Sequence, residues 1–306
     1  MHYGFIGMGN LGAHLAASLL RGGFEVTVHD LKRDAAAALL EAGAAWAESP
    51  RAAAEASGSL ITCLPSPAAS TAVMTGAQGA LEAIPRGGAW IEMSTTDLHE
   101  LRRLAAIAEA RGVAVLEAPV TGGVHRAAAG EITVLVGGGE AAYKRHLPAF
   151  EAMGGRVFHM GALGQASIIK VITNMLAFIH LVAAGEALML AKRGGLDLRQ
   201  AFEAIRASSG NSFVHETESQ VILNGSYDIG FTMDLACKDI GFATQMGRDF
   251  GVPLKLAGVT EQLFIEARQH YGGDAWSPKV VKLLEDALGE ELRAPGFPAR
   301  LTAEDA

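Results

Sequence analysis

Cysteine is nearly missing from this chain. Cys63 and Cys237 are the only two among 306 residues, far apart and each alone. Neither a disulfide framework nor a CxxC metal or redox site can be built from them. That usage suits a reducing compartment, and the expected location is the cytoplasm. Basic runs are missing too. Lys and Arg number 25 against 33 Asp and Glu, a formal net charge of −8, so no basic face is available for a phosphate backbone and nucleic acid is not an expected partner. Charged residues are sparse at 19% while half of the chain is apolar. This is ample for buried cores and too hydrophobic for disorder. The ten histidines are scattered, and no local spacing builds a Ser–His–Asp triad or a metal cluster, so no metal is expected.

Two apolar stretches need a physical reading. Met1 to Leu20 has no basic leader, and its glycines have a better explanation than a signal peptide. Ile168 to Leu190 is long enough for a membrane span, but Lys170, Asn174, His180 and Glu186 interrupt it. Four such groups are expensive in lipid, so a helix covered by protein is expected and a membrane is not.

The first half alternates short β-branched or apolar runs with Ala- and Leu-rich helical segments. The runs are Tyr3–Ile6, Glu25–His29, Leu60–Leu64, Ala89–Met93, Val113–Leu116 and Ile132–Val136. Such alternation predicts an α/β domain of Rossmann type, a doubly wound parallel sheet. After Gly164 strand signals vanish and helix-length apolar patterns follow one another. The expected organisation is residues 1–163 as a dinucleotide-binding domain, 164–292 as an all-α substrate and dimerisation domain, and 293–306 as an extended tail marked by Pro295, Gly296 and Pro298.

Gly7-Met8-Gly9-Asn10-Leu11-Gly12 follows the first strand and opens a helix. Gly7 permits the tight turn, Gly9 lets a pyrophosphate approach the backbone, and Gly12 allows close helix–strand packing. Asp30 ends the second strand, eighteen residues after Gly12, where a carboxylate can accept the adenosine ribose hydroxyls. It also repels a 2′-phosphate. NAD is therefore the expected cofactor, with NADP kept open because Lys32 and Arg33 follow.

Lys170 and Asn174 are four residues apart in the long apolar helix and share a face. Desolvation lowers a lysine pKa toward neutrality, as acid/base chemistry requires. On spacing alone, a lysine whose head reaches solvent at a helix start weighs equally. Thr121-Gly122-Gly123, after Glu117-Ala118-Pro119-Val120 at a strand end, offers a hydroxyl and close backbone N–H groups that suit a carboxylate. A plain tight turn remains the alternative.

These motifs together resemble the β-hydroxyacid dehydrogenase family, which includes 3-hydroxyisobutyrate dehydrogenase and tartronate semialdehyde reductase. 6-Phosphogluconate dehydrogenase is a longer, more distant relative whose larger helical domain this chain is too short to contain. The resemblance runs from Tyr3 to about Glu285. It rests on the glycine turn, Leu64-Pro65, Ser94-Thr95, Ala118-Pro119-Val120-Thr121-Gly122-Gly123, Lys170 with Asn174, and Phe231…Leu235…Lys238-Asp239.

The resemblance implies an oxidoreductase that moves hydride between a nicotinamide cofactor and a small β-hydroxy carboxylate or its semialdehyde. Lys170 would be the general acid/base and Asn174 the amide that orients the substrate. Thr121, Gly122 and Gly123 would bind the substrate carboxylate. Leu64, Pro65, Thr95 and Lys238 would contact the cofactor, and the assembly would be a homodimer or homotetramer. The chain departs from the family's usual pattern at Thr121 for Ser, Ala166 for Gly and Thr173 for Asn. His125-Arg126 is read as a solvated loop, with positive charge for a second anionic group as the alternative. Two rival readings are a reductase of another anionic aldehyde or imine, and a non-catalytic NAD sensor. Lys170 argues against an imine reducer, and the joint presence of Lys170, Asn174 and the Thr-Gly-Gly segment argues against a sensor.

Overall fold

Successive residues of a β-strand face opposite sides, so a strand apolar at consecutive positions must be covered on both faces. The structure, a computed structural model, describes residues 1–302. Its strands are β1 (His2–Ile6), β2 (Glu25–His29), β3 (Ala45–Trp46), β4 (Ser59–Thr62), β5 (Ala89–Glu92), β6 (Ala114–Glu117), β7 (Val120–Thr121), β8 (Ile132–Gly138) and β9 (Gly154–Gly161). They form one sheet in the order β3-β2-β1-β4-β5-β6-β8-β7, with β9 beside β8. Pairing is parallel from β3 through β6 and between β8 and β9. It is antiparallel where β8 meets β6 and β7.

The doubly wound sheet predicted from the alternation is present, and β8 adds a reversed stretch that the pattern did not foretell. Leu60, Trp90 and Val115 enter one core while their neighbours Ile61, Ile91 and Leu116 enter another, which is why these runs read as continuously apolar. Three strands escaped the sequence. β3 and β7 have two residues each, too few for a period. β9 carries three glycines and is mostly exposed or half-buried, so it shows no alternation.

Local chemistry starts several helices. Ser49 and Ser66 each precede a proline at the first turn, and their hydroxyls accept the N–H groups of Ala52 (3.1 Å) and Ala69 (3.2 Å). Such caps are worth about 1 kcal/mol, and proline at that position loses no hydrogen bond.

The residues sort into two compact units, Met1–Lys170 and Val171 onward. The first unit reaches past the glycine-marked join into the opening turns of the helix Gln165–Arg193, because those turns are hydrogen-bonded to Glu117. The second unit contains the rest of that helix and the helices Leu198–Arg206, Phe213–Asn224, Met233–Asp249, Lys255–Tyr271 and Lys282–Leu288. Among its described residues there is no strand, only isolated bridges. Phe178, Leu181 and Leu188 of the long helix join its core, and Gly185 lies against Val281, where a Cβ would come within 2.6 Å of the valine side chain.

The long helix differs from the expectation in one respect. Only 28% of its most apolar window is buried, and Ile172, Leu176 and Leu190 are exposed. One side feeds the core and the other stays bare, so the helix is not covered on every side within one chain. By length and composition it is apolar enough to cross a membrane, with the four polar residues named above interrupting it.

The described part of the tail contains no helix, and it is tied down at residues 292, 293 and 300. Buried Glu285 accepts the Tyr227 hydroxyl, the Leu292 N–H (2.6 Å) and Arg293 Nη1 (2.9 Å). Arg300 pairs with Asp228 at 2.7 Å. Residues 303–306, where the expected tail ends, lie outside the described residues.

Candidate active site

In an open α/β sheet, ligands bind beyond the carboxyl ends of the strands where the strand order reverses. Here that point is β1, with β2 on one side and β4 on the other. The glycine turn leaves β1, Leu64-Pro65 follows β4, Ser94-Thr95 follows β5, and Thr121-Gly122-Gly123 closes β7. The first unit therefore gathers these segments along one edge of its sheet.

The glycines divide the work as predicted from chemistry. Gly7 has φ +101°, and a Cβ there would lie 2.2 Å from the Cys63 carbonyl oxygen. A Cβ on Gly12 would lie 2.0 Å from the Gly7 oxygen. Both are required by the fold itself. Gly9 is different: it is exposed, and a Cβ there would meet nothing within 4 Å. The open space beside its backbone is what a pyrophosphate needs, so the turn fits a dinucleotide. Met8 is buried in the core at 4% exposure, so only its backbone faces the turn. Asn10 is exposed, and Leu11 stands at the N-cap of the helix Gly12–Arg21.

Asp30 has a role that spacing did not reveal. Its Oδ2 accepts the Met8 N–H at 2.7 Å and its Oδ1 accepts the Lys32 N–H at 2.9 Å. The carboxylate thus ties the end of β2 to the glycine turn and keeps lone pairs on both oxygens for further donors. Arg33 is engaged elsewhere, 3.4 Å from Glu48 and stacked over Trp46 at 5.2 Å.

Two buried glutamates hold the neighbouring loops, and the sequence reading gave neither a role. Glu92 ends β5 at 1% exposure. Its Oε1 accepts the Ser94 N–H (2.9 Å) and the Ser94 hydroxyl, and Ser70 Oγ donates to its Oε2 (3.0 Å). Ser94 Oγ in turn accepts the Leu64 N–H at 2.7 Å, which fixes the Leu64-Pro65 segment. Glu117 ends β6 with no exposure. It accepts the N–H groups of Gly164 (2.5 Å), Ala166 (2.9 Å) and Ser167 (3.0 Å), and the Ser167 hydroxyl. Burial pushes both carboxyls above the ordinary carboxylate pKa, and the hydrogen bonds oppose that rise. A carboxylate closing a strand that is otherwise wholly apolar was the available signal for each.

Thr121 and Gly122 are half-buried and Gly123 is exposed, with φ +124° at Gly122 and +90° at Gly123. A side chain at Gly123 would come 2.8 Å from the His125 ring. His125 and Arg126 do not form a solvated loop: both lie in the helix Val124–Ala129, and His125 is buried at 9% exposure beneath the glycine pair. Gly123 leaves room for that ring and Gly122 for the Arg126 side chain, which the local sequence does not disclose.

Lys170 is buried, at 8% exposure. This removes the reading of a solvent-reaching lysine at a helix start. In the second unit, half-buried Asn174 donates through Nδ2 to Asp239 Oδ2 at 2.6 Å. Asp239 is 1% exposed, and Lys238 Nζ stands 2.8 Å from its Oδ1 as an ion pair without hydrogen-bond alignment. Lys238 also sits over the Phe242 ring at 5.0 Å. Asp239 therefore fixes the amide and the ammonium together, a role absent from the sequence reading. Phe231 precedes this helix and stacks on Phe178.

A family profile described as the NAD-binding domain of 6-phosphogluconate dehydrogenase matches residues 2–161, and one described as the NAD-binding domain of NADP-dependent 3-hydroxyisobutyrate dehydrogenase matches residues 164–284. The chain belongs to the β-hydroxyacid dehydrogenase family. Within this family, 2-(hydroxymethyl)glutarate dehydrogenase of Eubacterium barkeri is 32% identical over 287 residues, 94% of this chain and 95% of that protein. NAD-dependent L-serine dehydrogenase of Pseudomonas aeruginosa is 36% identical over 248 residues, 79% of this chain and 83% of that protein. The crystal structure of 3-hydroxyisobutyrate dehydrogenase from Salmonella typhimurium superposes with TM-score 0.85 at 31% identity, over 92% of this chain and 99% of that one. This β-hydroxyacid dehydrogenase is accordingly an oxidoreductase with a nicotinamide cofactor, as its motifs implied.

Proposed function

We propose that the enzyme interconverts a small β-hydroxy carboxylate and its semialdehyde, with Lys170 as general acid/base and NAD preferred over NADP. The observation that carries this reading is the burial of Lys170 one helical turn before Asn174. A buried amine is costly unless it has work to do. The bound cofactor supplies the hydride chemistry. In oxidation, neutral Lys170 takes the hydroxyl proton on Nζ as the carbinol C–H bond is lost, leaving the aldehyde and an ammonium. In reduction, the ammonium returns that proton to the forming alkoxide. Thr121, Gly122 and Gly123 hold the substrate carboxylate through the threonine hydroxyl and backbone N–H groups. Asn174, its amide oriented by Asp239, steers the substrate oxygen.

NAD is favoured because Asp30 presents a fixed carboxylate while Arg33 is paired with Glu48 and Trp46. Leu64, Pro65, Thr95 and Lys238 complete the cofactor contacts. The enzyme acts in the cytoplasm as a dimer or tetramer, in which a second copy covers Ile172, Leu176 and Leu190 of the long helix. Light scattering showing a monomer would count against the assembly.

A panel of 3-hydroxyisobutyrate, L-serine and 2-(hydroxymethyl)glutarate, followed by nicotinamide absorbance, tests the substrate class. Turnover of at least one member with NAD is expected. Inactivity toward all three, in both directions and with both cofactors, contradicts it.

A further inference from the structure

We infer that Glu117 is a positioning residue for the reaction, holding the start of the helix that carries Lys170 against the strand end that leads into Thr121. The inference rests on the acid/base reading of Lys170. The first N–H groups of any helix lack intrahelical acceptors. Here the accounting is complete. The Gln165 N–H goes to Ala162 O at 3.2 Å and the Ile168 N–H to Gly164 O at 3.1 Å. The remaining Gly164, Ala166 and Ser167 N–H groups all go to Glu117.

With the Ser167 hydroxyl, four donors fill the four acceptor positions of one carboxylate. Three of them are backbone N–H groups that can only donate, so the side chain must present an acceptor lone pair to each of them. A negative charge at a helix N-terminus is also favoured by the helix dipole.

The surroundings are shaped for this group. Glu117 pairs in register with Gly137 of β8, and a Cβ on Gly137 would lie 2.3 Å from Glu117 Oε1. Gly164 has φ +101°, and a Cβ there would come 2.9 Å from Leu98 Cδ1. Any larger residue at either position would push the carboxylate or the helix start aside. Glu117 lies four residues before Thr121, and Ser167 lies three before Lys170 on the same helical face. A single side chain therefore links the proposed carboxylate cradle to the proposed acid/base group, and its fixed length sets their separation.

Glu117→Gln tests this. The amide oxygen can still serve Gly164 and Ala166, but its NH2 group must then face the Ser167 N–H, donor against donor. The expected result is a fall in kcat of roughly 10–100-fold, the cost of a misplacement of about 1 Å, with KM for NAD within about twofold, since the glycine turn is untouched. Hydrogen exchange should accelerate most in residues 162–170, beyond the general rise that lower stability brings. Ser167→Ala removes only the hydroxyl, and should keep the fold with a kcat loss of a few-fold. Normal kcat in Glu117→Gln overturns the proposal. So does a loss of kcat accompanied by exchange rising equally throughout the first unit and by a raised KM for NAD, because that pattern is general loosening. Lys170→Ala assayed alongside separates the two claims. If it stays active, the acid/base reading fails and Glu117 has no catalytic group to position, whereas an inactive Lys170→Ala with a fully active Glu117→Gln sinks the positioning role alone.

Discussion

Glu92 and Glu117 are register partners at the carboxyl ends of β5 and β6. In-register residues of parallel strands face the same side of a sheet, so two buried carboxyls stand next to each other. Each faces a different set of donors. Glu92 meets the hydroxyls of Ser70, Ser94 and Thr62 and one backbone N–H. Glu117 meets three backbone N–H groups and one hydroxyl. Hydroxyls can turn to accept and N–H groups cannot.

This difference predicts opposite outcomes for the same substitution. Glu92→Gln can place its oxygen toward the Ser94 N–H and its NH2 group toward the hydroxyls of Ser70 and Thr62, which can turn to accept. Because burial raises the Glu92 pKa above its unfolded value, its contribution to stability is present at low pH and is lost as pH rises through the folded value. Glu92→Gln should therefore match or exceed the parent in thermal midpoint at pH 8 and show a flatter dependence on pH. Glu117→Gln should lose about 1–3 kcal/mol, the cost of an unpaired buried donor. Equal losses in calorimetry would contradict the distinction.

Glu218 offers a second pH-dependent test. The residue is half-buried, but its Oε2 is covered and has no hydrogen-bond partner. Burial pushes its pKa up to about 8. A raised carboxyl pKa favours the protonated form in the folded state, so stability from this group declines as pH climbs from about 4.5 through 8. Glu218→Gln should raise the thermal midpoint at pH 9 by a few degrees and leave pH 5 nearly unchanged. An identical pH dependence in parent and variant would show that Glu218 is paired.

Asp30 governs the cofactor prediction. The enzyme should prefer NAD by tenfold or more in kcat/KM, on the order of 1.4 kcal/mol. Asp30→Ala should narrow that ratio by removing repulsion toward a 2′-phosphate. It should also weaken NAD itself, because the Met8 N–H loses its acceptor. A parent enzyme that prefers NADP tenfold would refute this assignment.

Most of the fold was legible because its signals are local. The glycine turn, the apolar strands β1, β2, β4, β5 and β6, and the shift to helices after Gly164 all follow from short-range pattern. β9 was hidden because three glycines and a largely open surface erase the alternation. Spacing put Lys170 and Asn174 on one helical face and the family resemblance implied their roles, whereas Asp239 and Glu117 were missed as partners. Asp239 meets Asn174 across 65 residues, and Glu117 meets Ser167 across 50. Nothing in a local window tells which distant donors a buried carboxylate will face. His125 was misread because its burial depends on room left by Gly123.

Turnover of Lys170→Ala is the most direct test of the proposed mechanism. Purified variant and parent would be compared in kcat with a turned-over hydroxy acid, with NAD binding measured separately by fluorescence. The expected loss in kcat is roughly 10²–10⁴-fold, the usual worth of a general acid/base, with NAD affinity close to that of the parent. Lys170→Arg should not restore activity, since a guanidinium stays protonated at any working pH. A folded Lys170→Ala enzyme that binds NAD and turns over at the parent rate would contradict the mechanism.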